Sequence, residues 1–196
     1  MNELRLNHFL GINFGASPEY AKKKLLTKTG CIFDKKNSSN EVLFFNGLTY
    51  DKQNVASVKL VFINKKFNEA TVYIKPKLNI LAIQNYRKIQ SELNSQYFVT
   101  NDVFETYEKP YEVNDEHTEK GIAIGKVSYS SHWNFPRRDG GFKDNISLKI
   151  AKDFTIIINY EYGGFSDVYS HNQEKDAWAT CFILTSFILF LYLFTI

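Results

Sequence analysis

Apolar and polar residues alternate along several stretches of the chain. Ala56, Val58, Leu60 and Phe62 alternate with Ser57, Lys59 and Val61, and Ala70, Val72 and Ile74 alternate with Glu69, Thr71 and Tyr73. A period of two places one set of side chains on a single face of a strand. With Asn64-Lys65-Lys66 as the turn between these runs and a further strand over residues 41–49, the pattern predicts a three-stranded antiparallel meander that Pro76 ends. A second set follows later. Val127, Tyr129, Trp133 and Phe135 share a face within a strand predicted over residues 122–135. Ile146, Leu148 and Ile150 then form a hairpin with Phe154, Ile156, Ile158 and Tyr160 across a Lys152-Asp153 turn.

Two helices are predicted. The first opens at Ser17-Pro18-Glu19, where Ser17 supplies an N-cap oxygen, Pro18 a preset φ and Glu19 a charge suited to the positive end of the helix dipole. It runs to about Lys28, before Gly30, with Tyr20, Ala21, Leu25 and Leu26 as its apolar stripe and Lys22, Lys23 and Lys24 outward. The second covers residues 78–97, with Ile83, Tyr86, Ile89, Leu93 and Tyr97 at helical spacing. Between it and the second strand set, the acidic and aromatic residues 98–120 read as an irregular excursion.

The fold class expected from this order is α+β: two units, each a helix plus a three-stranded antiparallel meander, packed together and followed by a C-terminal hydrophobic helix. The first unit is residues 1–76, the second 77–169, and 170–196 are a polar linker and the hydrophobic segment. Val58-Phe62 and Ile146-Ile150 lie 88 residues apart and make an internal duplication a candidate.

Composition sharpens this only in part. Hydrophobic residues make up 44% and charged residues 23%, a globular balance, and the 16% aromatic content favours strands. A net charge of +3 implies no field strong enough for a nucleic-acid partner. The two cysteines, Cys31 and Cys181, exclude a disulfide framework and a thiolate-rich zinc site.

The ends differ. Asn7, His8 and Asn13 interrupt any apolar run that a secretory signal would need. Residues 177–196 carry no charged side chain and would reach about 30 Å as a helix, the thickness of a bilayer's hydrocarbon core. A single membrane span is expected there, with Trp178 and Tyr192 toward the two interfaces. A buried helix and an out-of-frame reading of an AT-rich gene are the alternatives. The side of the membrane on which the domain sits is open, cytosolic by default.

Candidate chemistry is sparse. His8, His117, His132 and His171 are dispersed, and Asp115-Glu116-His117 is contiguous and ill suited to converge on one ion, so no metal site is expected. Cys31 has no identifiable base, no G-x-S-x-G is present, and neither a catalytic residue nor a cofactor nor a small-molecule ligand is assigned. The densest candidate is the segment containing His132, Trp133, Arg137 and Arg138, because Trp and Arg dominate interface hot spots. Trp133 on a strand equally suits a core, with the arginines solvated in the next loop. Lys22-Lys23-Lys24, Lys35-Lys36 and Lys65-Lys66 are each an ordinary solvated face or part of a basic patch.

Residues 9–162, taken as a helix and meander given twice, resemble the tandem fold of the β-lactamase inhibitory protein and, per unit, the outer-membrane assembly lipoprotein BamE. Gly11-Ile12-Asn13-Phe14-Gly15 running into Ser17-Pro18-Glu19 is similar to the lead-in such domains use before the first helix. The second unit lacks that lead-in, and no functional residue is carried over. The resulting expectation is a membrane-anchored, non-enzymatic binding or scaffold module that meets a protein partner through an exposed sheet face or the loop around Arg137. A soluble enzyme whose site assembles only in the fold, and an envelope lipoprotein-type domain lacking its leader, are the other readings.

Overall fold

The computed structural model describes residues 5–50, 53–54, 57–113, 116–136 and 144–163. A short hairpin, β1 (His8–Phe9) and β2 (Ile12–Asn13), leads into α1 (Pro18–Leu26). Then come β3 (Ile32–Phe33), β4 (Val42–Asn46), a small pair β5 (Thr49–Tyr50) and β6 (Gln53–Asn54), and the long hairpin β7 (Ser57–Ile63) and β8 (Lys66–Ile74). After α2 (Leu81–Gln96) the chain forms β9 (Asp102–Tyr107), α3 (Thr118–Ile124), β10 (Val127–Phe135), β11 (Asp144–Ile150) and β12 (Ile156–Glu161). Eight strands join in one antiparallel sheet of order β3-β4-β7-β8-β12-β11-β10-β9.

The local signals explain the helix starts and hairpin turns. Ser17 Oγ accepts the Tyr20 N–H at 3.2 Å, so the N-cap forms as expected, and Pro18 opens α1. Between β7 and β8, Ile63 pairs with Lys66 and both intervening residues, Asn64 and Lys65, have positive φ. That is the two-residue turn whose twist matches a hairpin, but it places a lysine where glycine is favoured, at a cost of about 1 kcal/mol.

The register carries a regularity. Val58 pairs with Val72, and Ile146 pairs with Tyr160, each residue 88 positions further on. Val42 pairs with Val61, and Ser130 pairs with Lys149 at the same interval. At the junction of β8 and β12, Thr71 faces Asn159, again 88 residues away. The sets β4-β7-β8 and β10-β11-β12 are therefore laid out about an approximate twofold that passes the Thr71–Asn159 pair.

The alternation read in the sequence defines the core. Val58, Leu60, Ala70, Val72, Ile146, Leu148, Ile156, Ile158 and Tyr160 are all at most 2% exposed and point to one face. Helices cover that face. Tyr86 of α2 meets the Tyr129 ring edge-on, its hydroxyl shares a 2.6 Å hydrogen bond with Ser131 Oγ, and Gln90 Nε2 donates to the same oxygen at 2.8 Å. Phe14 stacks between Phe67 and Tyr162 and closes the N-terminal lead-in over the first half.

The expected α+β class is overturned. The molecule is mostly β, built on one eight-stranded antiparallel sheet with small two-stranded sheets and, among the described residues, three helices. Two further strands join the sheet. β3 is too short for a period to show, and β9 lies in residues 98–120, where its alternation is masked because it is an edge strand wet on both faces. The strand predicted from residue 122 begins only at Val127, because Thr118–Ile124 is helical and ends at Gly125, whose φ of 77° suits a helix C-terminus. The two meanders share one continuous sheet through β8 and β12. The predicted C-terminal hydrophobic helix lies outside the described residues. Among those residues, no helix is long and apolar enough to cross a membrane.

Trp133 is the largest wholly buried side chain among the described residues, and its indole nitrogen lies 3.0 Å from both Asn94 Oδ1 and the Phe98 carbonyl oxygen. Removing it opens a cavity and takes a donor from both acceptors, of which Asn94 Oδ1 keeps the Thr100 N–H at 3.2 Å. Trp133→Ala should lower the unfolding free energy by about 3–5 kcal/mol, measured by urea titration.

Candidate functional site

Among the described residues, the helices pack on one side of the sheet and leave the other side open. The covered face takes Leu43, Phe45, Val58 and their in-register neighbours; the odd–even partners of these residues form the second face, where no described helix packs. Seven spacings of about 4.8 Å and strands of about 20 Å give this face roughly 700 Å², close to the ~800 Å² one partner contributes to a standard interface.

Register decides which side chains meet there. One row crosses the sheet through Asp102, His132, Ser147, Asn159, Thr71, Lys59 and Phe44, each paired with the next. Another runs through Phe104, Ser130, Lys149, Ile157 and Tyr73. Phe104 stands on the free edge strand β9 and is 54% exposed, an aromatic left in water. Its ring lies edge-on to His132, with centroids 5.9 Å apart.

The centre of the face is a polar network. Lys59 Nζ lies 3.3 Å from Glu69 Oε1, and the Thr71 hydroxyl donates to the same oxygen at 3.1 Å. With its amide nitrogen turned toward them, Asn159 donates to Glu69 Oε1 at 3.0 Å and to Thr71 Oγ1 at 2.9 Å. Glu69 is thus held by three donors. Glu161 faces it directly across the β8–β12 pair, and burial first, then the Glu69 charge, raises the Glu161 pKa above its ordinary value.

The sequence candidates separate. His132 is half-buried on the open face, and its carbonyl accepts the Thr100 hydroxyl. Trp133 points the other way, into the core, held by Asn94 and Phe98. Arg137 and Arg138 lie outside the described residues. Phe104, Tyr73 and Lys59 were not singled out in sequence, because their place on a shared face follows only from strand order. Elsewhere, Cys31 is half-buried, and burial raises its thiol pKa against the opposing pull of Lys28. Glu116 and His117 lie 3.6 Å apart beside α3, and Asp115 is outside the described residues.

No protein-family model matches the chain, and neither the curated proteins nor the solved structures contain a match to it.

Because folding raises the Glu161 pKa, the folded chain binds that proton more tightly than the unfolded chain. Stability contributed by this group therefore falls as pH rises from about 4.5 through the raised folded value. Glu161→Gln should flatten that decline and raise the melting temperature at pH 7 above that of the parent, read by thermal melts across the range.

Proposed function

We propose that the chain is a non-enzymatic binding module that takes a protein partner on the open face of its eight-stranded sheet. The observation that carries this reading is the exposed Phe104 beside His132, on a face that continues, with no described helix over it, through Lys59 and Phe44. An aromatic anchor surrounded by satisfied polar groups is the composition of an interface centre with its rim. The network around Glu69 favours a rigid surface, since each of its members is already held by neighbours before a partner arrives. The uncharged run 177–196 would tether the module to a bilayer.

A photo-crosslinking residue placed at Ser147 or Lys149 should capture one protein from the source cell, and the same residue at Lys88 on α2 should not. Phe104→Ala should weaken that complex by about 1–2 kcal/mol while leaving the unfolding midpoint unchanged. Capture from the helical side alone would reject the sheet face as the docking surface. Release of the full-length chain from membranes by an alkaline wash would reject the tether.

A further inference from the structure

Three lysine runs that are far apart in sequence come together at one end of the molecule. Lys22 of α1, Lys35 of the β3–β4 connection and Lys65 of the β7–β8 turn all line one open cleft of about 620 Å³. That size lies within the range of small-ligand sites, roughly 300–1,000 Å³.

The cleft pairs charge with an apolar wall. Phe33, Leu43 and Pro18 form the wall, and the Lys22 ammonium sits 3.7 Å over the Phe33 ring, which holds it at the opening. Ser39, in the lining, accepts the Val42 and Glu41 N–H groups on its Oγ at 3.1 and 3.3 Å, and its hydroxyl is a potential donor. Among the described residues, one carboxylate, Glu19, lines the cleft against the three ammonium groups. Nearby Asp34 is occupied by the Asn37 amide and backbone N–H, at 2.7 and 3.1 Å.

Lys65 stands at a φ of 61°, in a turn position where glycine would be more stable, so replacing it by glycine removes the ammonium group without straining the turn.

We propose that this cleft binds a multiply charged phosphate group. Lysines meet phosphate as point charges, and three of them converging with a hydroxyl donor suit several phosphate oxygens at once. The group could belong to a soluble polyphosphate or nucleotide, or to a phosphorylated lipid headgroup. The site is separate from the open sheet face.

The test titrates the full-length chain with sodium tripolyphosphate, with ATP, and with phosphatidylcholine vesicles containing phosphatidylinositol bisphosphate. Saturable one-to-one binding to either class is expected, weakened roughly tenfold or more by the combined Lys22→Gln, Lys35→Gln and Lys65→Gln variant. Binding by the soluble anions assigns a free ligand, and binding by the vesicles alone assigns a headgroup. Lys65→Gly should weaken binding while keeping or raising the melting temperature, a combination that a structural role for Lys65 would not produce. A control removing equal charge, Lys23→Gln with Lys24→Gln and Lys120→Gln, should leave the affinity unchanged. Equal weakening in the control, or no saturable binding of any probe, would overturn the proposal.

Discussion

The antiparallel pairing of β8 with β12 is the contact on which the rest depends. It joins two four-stranded halves into one sheet, and the side chains it sends inward, Ala70, Val72, Ile74, Ile156, Ile158 and Tyr160, are at most 2% exposed. Separated, each half would present a central strand edge flanked by apolar side chains, a form prone to pairing with any other strand. Outward, the same pairing brings Thr71, Asn159, Glu69 and Glu161 together, so it also builds the polar centre of the open face.

Strands buried on one face were legible in the sequence, and strands at the edges were not. Val58 to Phe62 and Ile146 to Ile150 show a period of two because one face is packed and the other is wet. β9 has no such contrast: Asp102, Val103 and Phe104 are all exposed, so the sequence there resembles a loop. The expected α+β class failed for that reason and because the hairpins, which were visible one by one, give no sign in sequence that β8 will pair with β12. The candidate site was half legible. His132 and Trp133 are adjacent, yet a strand sends neighbours to opposite faces, which leaves one on the surface and the other beneath α2. Phe44, Lys59 and Phe104 become one surface only through pairings between distant strands.

Charge is unevenly spread behind the modest net value of +3. Lys22, Lys23, Lys24, Lys28, Lys35 and Lys36 gather around the β3 edge of the sheet, whereas Asp102, Glu105 and Glu108 belong to the β9 edge or its connection to α3. At the second edge Glu105 is engaged by Arg87 of α2, whose guanidinium also lies over the Tyr129 ring, so that carboxylate ties helix to strand. At the first edge these six lysines stand among three carboxylates, Glu19, Asp34 and Glu41. A chain near neutrality can thus carry a local field, and composition alone averages it away.

The constant interval of 88 residues has one more consequence. Two positions related by it occupy equivalent points on the open face, yet Phe44 corresponds to His132, Lys59 to Ser147, Val61 to Lys149 and Tyr73 to Glu161. A visitor could lie across the strands in either of two head-to-tail poses that the backbone renders almost interchangeable. Side-chain identity alone breaks the tie, so exchanging residues between corresponding positions offers a way to turn a docked molecule around without altering the scaffold beneath it.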